Sequence, residues 1–329
     1  MDILVYESDK DAVERLEAVS ELPSLLARED TVIWVDLDIR DSDDLAAAEE
    51  MYRDVFKFHH LTIEDCREAR NQPKLEEFPD YLFFIVHGVK PQTSTTNFLT
   101  KELDGFLGRN FVVTNRNESF RSVDAVKNHL FMNPRAMRKG AAFLLHQILD
   151  RMVDLYMPIV DDFDTAINNL EDRVYETKRG GNEILEEIMD LRRSVARLKR
   201  ISTRQLEVLY RVSHGELPQI PEDVIPFFRD VHDHLLRIAD LAENYRDLVS
   251  GLFEIHFSVT ANRTNDVMKF LALISSTMLP LTLITGIYGM NFLNMPLLGY
   301  RYGFHVMIGM MFLVFLGSII YFQRKGWFA

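Results

Sequence analysis

Apolar positions divide the chain into three stretches with different periods. Up to about residue 130, short runs rich in aromatic and β-branched residues alternate with polar segments: 31–36 (TVIWVD), 81–89 (YLFFIVHGV), 103–107 and 111–114. Runs of this length and composition predict strands, and Gly108-Arg109-Asn110 between the last two supplies a hairpin turn. The intervening 42–56 and 122–130 carry helical spacing, so residues 1–130 are expected to form an α/β domain. From 131 to 266 the period becomes helical throughout. Leu145, Leu149, Met152, Tyr156, Ile159, Phe163, Ile167, Leu170 and Val174 recur at three- and four-residue steps and predict one long amphipathic helix. Gly180-Gly181-Asn182 breaks it, a second helix is predicted from about Glu183 to His214, and 215–226 with its three prolines reads as a loop. A third helix is expected to run unbroken from Phe227 to Met290, roughly 95 Å at the standard rise.

The last stretch is different again. Residues 270–290 hold no charge, and 302–322 hold only His305 as an ionisable group. Each run of 21 residues meets the roughly 20 needed to cross a hydrocarbon core as a helix. They predict a transmembrane hairpin, with spans at 267–291 and 302–323, an outer loop at 292–301 and a basic tail at 324–329. Lys269 precedes the first span and Arg324 and Lys325 follow the second, while the loop carries only Arg301; this bias places both termini on the cytoplasmic side.

Charge narrows the function. The formal net charge of −13 over 329 residues argues against a nucleic-acid partner, which requires a basic face, and suits cations instead. A single cysteine, Cys66, excludes disulfides and thiolate metal clusters, leaving oxygen or imidazole ligands for any metal chemistry. The N-terminus lacks the basic-then-apolar pattern of a secretory signal. No phosphate-cradling glycine loop, zinc-protease helix motif or nucleophile elbow is present, so no enzyme activity is expected. The adjacent pair His59 and His60 faces in different directions on a helix and does not read as a metal site.

The first span ends Pro280-Leu281-Thr282-Leu283-Ile284-Thr285-Gly286-Ile287-Tyr288-Gly289-Met290-Asn291, followed by Phe292 and Met295-Pro296. This segment resembles the Gly-Met-Asn signature of the CorA family of magnesium channels, which closes the first of two C-terminal membrane helices. The segments 61–66 (LTIEDC) and 72–76 (QPKLE) are similar to the family's sequence at the edge of its α/β domain, so the resemblance covers nearly the whole chain. It implies a funnel-shaped homopentamer in a cell inner membrane, with an N-terminal cytoplasmic α/β domain, a long α-helical stem and a two-helix C-terminal transmembrane hairpin. It also implies magnesium influx, with cobalt or nickel as further permeant ions, and magnesium as both cargo and regulator.

On the residues alone, Gly-Tyr-Gly-Met-Asn reads equally well as a helix C-cap; the resemblance makes Gly289, Met290 and Asn291 a selectivity filter. Magnesium dehydrates reluctantly, and a ring of Asn291 amide oxygens would accept hydrogen bonds from its waters without trapping the ion as carboxylates do. Asn265, Met268, Leu271, Ser275, Leu279, Thr282 and Gly286 share one helical face and are expected to line the pore. Periodicity alone would leave Met268 and Leu271 as core packing, whereas the resemblance makes them a hydrophobic gate. Pro280 either kinks the span or is tolerated within it. The resemblance further implies regulatory magnesium between subunits, bridging Glu64 and Asp65 to Glu254 and closing the channel. Stem acids such as Asp150 and Asp154 otherwise read as solvated faces. Two rival readings remain: a zinc transporter of the ZntB branch, and a two-span membrane receptor, which the short outer loop disfavours.

Overall fold

The computed structural model describes residues 1–68, 71–176, 181–290, 295–296 and 299–327. It separates into two units, Met1–Phe253 and Glu254–Ala329.

The first unit is built on a seven-stranded sheet. Its strands are β1 (Asp2–Glu7), β2 (Ala12–Arg15), β3 (Thr31–Asp38), β4 (Lys74–Glu77), β5 (Tyr81–Val89), β6 (Thr100–Gly108) and β7 (Phe111–Arg116), in the spatial order β2-β1-β3-β7-β6-β5-β4. Only β3 and β7 pair in parallel, with Trp34 opposite Val112; every other neighbour is antiparallel. The predicted hairpin is present, joining β6 to β7 through Arg109 and Asn110.

Both faces of the sheet are covered, which explains why β3 and β5 read as continuous apolar runs rather than alternating ones. Tyr81, Phe83 and Ile85 face a core with Ala48, Met51 and Tyr52 of α2 (Ser42–Asp54) and Ile63 and Cys66 of α3 (His60–Arg67). A short helix, α1 (Leu22–Leu26), caps the same side through Leu22. The other face meets α4 (Arg121–Met132) and α5 (Ala141–Asp154), with Leu130, Leu144 and Ile148 fully buried. Alternate residues of each central strand therefore serve separate cores.

Polar groups buried beneath β3 and β7 gather around one carboxylate. Asp36, 1% exposed, accepts from Thr114 Oγ1 at 2.7 Å, Arg116 Nη2 at 2.9 Å and Lys127 Nζ at 2.5 Å. Two cations thus share one carboxylate beneath the β3–β7 pair.

The expected single helix over Leu145–Val174 is two helices, α5 and α6 (Met157–Glu176). Pro158 sits in the first turn of α6, where its missing N–H costs nothing, but a helix continuing through it would lose a hydrogen bond and clash with residue 154. The apolar stripe keeps its phase across the break because Tyr156 is buried at the junction, its hydroxyl donating to the His87 carbonyl at 2.6 Å. α7 (Gly181–Ser213) then runs 33 residues and docks on the sheet: Gln205 Oε1 accepts from His87 N at 2.8 Å, and Arg211 donates to the Leu75 carbonyl at 2.6 Å.

α8 (Ile225–Tyr288) is the expected continuous helix, 64 residues long, and it carries Pro280 without an assigned break. Proline supplies no N–H to the Ser276 carbonyl; nearby, the Ser276 hydroxyl donates to the Ala272 carbonyl.

The second unit holds the C-terminal part of α8 and α9 (Gly303–Arg324). Both helices are long and apolar enough to cross a membrane, and almost none of their apolar windows is buried within the chain. Phe322 and Trp327 pack at 5.0 Å between ring centroids. Trp327 lines one groove with Asn265, Met268 and Lys269, so the end of α9 returns to the level at which the charge-free run of α8 begins. Lys269 and the basic tail therefore lie at the same end of the hairpin.

Candidate functional site

The seven residues Asn265, Met268, Leu271, Ser275, Leu279, Thr282 and Gly286 all lie on α8, and at 100° per residue they occupy an arc of about 120°. All seven are exposed. Met268 is 60%, Leu271 52% and Leu279 69% exposed, so no partner among the described residues covers this face and packing in its own core does not explain these side chains. Gly286 has open space where a Cβ would sit. Its lack of a side chain answers no contact inside the chain and leaves the helix free to approach another closely.

Hydroxyl chemistry along the face is directional. Thr282 Oγ1 donates to the Met278 carbonyl at 2.9 Å, which consumes its only hydrogen and leaves oxygen lone pairs outward. Such an oxygen accepts from water but has nothing to donate, the polarity that a hydrated cation requires.

Of the residues expected to form a filter, Gly289 and Met290 follow the last turn of α8. Gly289 N donates to the Thr285 carbonyl at 2.8 Å and Met290 N to the Ile287 carbonyl at 3.3 Å, as in a fraying helix C-terminus. The C-cap reading of Gly-Met-Asn is thus compatible with this turn. Asn291 lies outside the described residues.

The carboxylates expected to hold regulatory magnesium belong to different units. Glu64 is exposed on α3, and Glu254 is exposed at the start of the second unit. Asp65, also on α3, is half-buried, and its Oδ2 accepts from Lys74 Nζ at 2.6 Å. Lys74 reaches Glu76 as well, at 2.9 Å. Burial opposes the ammonium, but the hydrogen bonds to Asp65 and Glu76 outweigh it and hold the Lys74 pKa above its ordinary value. Any cation at Asp65 competes with this lysine.

Several stem acids are engaged too. Glu243 pairs with Lys199 and Arg246, and Asp247 with Arg246 at 2.8 Å. Asp150 and Asp154 are joined by His234, a residue the sequence reading did not single out; one ligand atom from each lies within 4.8 Å of the others. Burial, with the neighbouring Asp154 charge, raises the Asp150 pKa. Asp150 and Asp154, one turn apart on α5, were readable as a pair, whereas His234 comes from α8.

Comparison with known proteins follows this geometry. The family model described as "CorA-like Mg2+ transporter protein" matches residues 29–324. The chain is 31% identical over 313 residues to the Bacillus subtilis protein YfjQ, covering 95% of each. It is 33% identical over 273 residues to the cobalt/magnesium transport protein CorA of Thermotoga maritima, covering 83% of this chain and 77% of that protein. The fold matches the complete structure of the CorA magnesium transporter from Methanocaldococcus jannaschii, with a TM-score of 0.81 at 21% identity over 99% of both chains. An α/β sheet unit, one long helix and two apolar C-terminal helices, matched along nearly their full length, establish that the chain belongs to the CorA-like Mg2+ transporter family.

Proposed function

We propose that this chain forms a homopentameric magnesium channel of an inner membrane, with both termini cytoplasmic and the exposed face of α8 lining the pore. The observation that carries this reading is that face itself. Seven residues from Asn265 to Gly286 lie on one arc of α8, all uncovered among the described residues. Assembly around an axis gives such an arc a lumen to face, while lipid covers the remaining apolar surface.

Selectivity for the hydrated ion rests on acceptor rings. Asn291 offers amide oxygens at the outer mouth, Gly289 and Met290 expose main-chain carbonyls beside them, and Thr282 contributes an outward oxygen deeper in the pore. Met268 and Leu271 form the apolar constriction, which closes to ions when it empties of water. Five copies, each of formal charge −13, repel one another, and magnesium held by Glu64, Asp65 and Glu254 offsets that repulsion and favours the closed ring. Rising internal magnesium then reduces influx.

Cobalt passes by the same route, since its hydrated ion presents the same donor surface, and nickel follows. A zinc transporter of the ZntB branch is the nearest alternative; the intact Gly289-Met290-Asn291 favours magnesium. The decisive measurement is magnesium flux into proteoliposomes for wild type and Asn291→Ala, with and without magnesium on the cytoplasmic side. Wild-type flux that is suppressed by cytoplasmic magnesium and lost in Asn291→Ala supports the proposal. A wild type that moves zinc but not magnesium returns the alternative, and one that moves neither favours a two-span receptor.

A further inference from the structure

Within the first unit, β5, β6 and the middle of α7 enclose a cavity of about 430 Å³. Its charged lining is Lys90, Lys101, Arg197 and Arg200 against Glu102 and Glu118. In a chain with thirteen excess negative charges, a cavity with more cations than carboxylates runs against the global balance.

The imbalance grows when pairing is followed. Glu118 is taken by Lys90 at 2.5 Å. Both Glu102 oxygens accept from Asn71, each at 3.0 Å, and burial raises the Glu102 pKa, which weakens it as a counter-charge. Lys101, Arg197 and Arg200 are left without a carboxylate partner among the described residues. Lys101 is 5% exposed and donates only to the Ser119 carbonyl, with its ammonium 4.4 Å from the Phe120 ring centroid. Arg197 has one long bond, to the Phe98 carbonyl at 3.4 Å.

Neighbouring groups register the same uncompensated field. Burial lowers the Lys101 pKa, and Lys90, Arg116 and Arg121 lower it further against the pull of Glu118. The His87 imidazole behaves similarly: burial pushes it down, its bond to the Asn71 carbonyl resists, and Arg197 and Arg200 add to the depression. Holding an ammonium and two guanidinium groups together without a counter-ion costs free energy that a bound anion would remove.

The shape extends the argument from a single anion to a longer one. Arg197 and Arg200 also line an adjoining cleft of about 670 Å³ with Thr96, Asn97 and the Arg193–Asp190 ion pair, which leaves Arg197 and Arg200 as its unpaired charges among the described residues. The two arginines, one turn apart on α7, form a shared wall between a basic chamber and a wider vestibule. Guanidinium forks bind phosphate oxygens in pairs, and Lys101 supplies a point charge at the inner end.

We propose that this cavity binds an oligophosphate, either free or as the phosphate tail of a nucleotide, through Arg197, Arg200 and Lys101. The phosphates occupy the chamber, and whatever they are attached to lies in the vestibule. The site is built wholly from residues of the first unit, and its occupancy does not depend on transport.

The test uses the purified full-length protein in detergent, with chelator present so that divalent ions cannot bridge anions to its acidic surface. Tripolyphosphate and ATP are titrated by calorimetry, with sulfate as a simple-anion control. The expected result is saturable binding with one site per chain, weaker for sulfate. Arg197→Gln with Arg200→Gln should weaken it by at least about tenfold, or about 1.4 kcal/mol. Both arginines are exposed, so the double variant keeps the fold. Arg204→Gln, one turn further along and paired with Glu207 at 3.2 Å, should bind as wild type does. As a second readout, tripolyphosphate should raise the melting temperature of wild type and Arg204→Gln but not of the double variant. ATP binding more tightly than tripolyphosphate identifies a nucleotide site, and the reverse identifies a free oligophosphate. No saturable binding of either probe, or equal binding in wild type and the double variant, overturns the proposal.

Discussion

Lys74 holds the carboxylate of Asp65 at 2.6 Å, so the residue expected to take a regulatory cation already has a cation of its own. The two sit on different elements, β4 and α3, and both are partly exposed. If the proposed regulatory magnesium binds at Asp65, a built-in competitor of this kind would set the concentration it needs.

Lys74→Met should therefore make the channel more sensitive to internal magnesium. A partly exposed pair contributes about 0.2 to 1 kcal/mol, so the half-inhibiting concentration should fall by a factor of roughly 1.4 to 5. Asp65→Ala with Glu254→Ala should raise it. Flux into proteoliposomes at graded internal magnesium measures both, and an unchanged inhibition curve in the double variant would remove Asp65 and Glu254 from the regulatory site.

Thr282 offers a sharper test of the pore face than a gate residue does, because a change of one atom type separates chemistry from shape. Thr282→Val keeps the volume and removes the outward oxygen; magnesium flux should drop on the order of tenfold. Thr282→Ser retains the oxygen and should conduct within about twofold of wild type. Equal flux from the valine and serine variants would show that this ring does not contact the ion's water shell.

Asp36 carries the stability of the sheet unit. Asp36→Ala removes the carboxylate that Arg116 and Lys127 share; Arg116 keeps Asp124 at 3.3 Å and Lys127 keeps Asp2 at 2.8 Å, so the loss should fall below the cost of an uncompensated buried charge, about 3 to 5 kcal/mol. Trp34 reports on the same place, since its Nε1 donates to Thr114 Oγ1 at 3.0 Å and that hydroxyl donates to Asp36. A clear fall in melting temperature, followed by tryptophan emission, is expected for Asp36→Ala and a smaller one for Asp36→Asn.

Stability should also fall on mild acidification through His146. This imidazole packs against Phe143, Phe227 and Phe228, and its Nδ1 has no hydrogen-bond partner. Burial pushes its pKa down to about 4; Asp230 works against that shift and Lys139 adds to it. In the unfolded chain the group titrates near 6.5. Above that value both states are neutral and the residue is silent. As pH falls from about 6.5 to about 4, the unfolded state takes a proton that the folded state refuses, so stability is lost across that window by an amount on the order of a few kcal/mol. Melting temperatures at pH 7.5 and pH 5 should diverge less in His146→Phe than in wild type.

The sequence was legible where burial and period agree. β3 and β5 lie in the middle of the sheet with both faces covered, and their apolar runs left little choice. β4 reads Lys-Leu-Glu-Glu, which no propensity marks as a strand; pairing with β5 makes it one, and its charges suit an edge. β1 is a four-residue buried run close to the chain's start, too short to separate from a helical turn by period. The α5–α6 break had a signal in Pro158, which the unbroken stripe of Tyr156, Ile159 and Phe163 concealed.

The common arc of Asn265, Met268, Leu271, Ser275, Leu279, Thr282 and Gly286 was readable for the same reason that α8 was, since one helix fixes all its angular positions at once. The Asp65–Lys74 pair and the meeting of His234 with Asp150 and Asp154 were not, because each depends on how separate elements pack. The excess of cations around Arg197 and Arg200 was hidden by a net charge of the opposite sign.

The 64 uninterrupted residues of α8 also make the helix an angular ruler. Inserting one residue between Leu271 and Ser275 turns everything beyond it by about 100°, swinging Leu279, Thr282 and Gly286 off the bearing they share with Met268 while leaving every side chain chemically intact. Inserting seven restores the bearing to within about 20°. The protein's tolerance to added length at this point is therefore periodic, set by helical phase and not by distance.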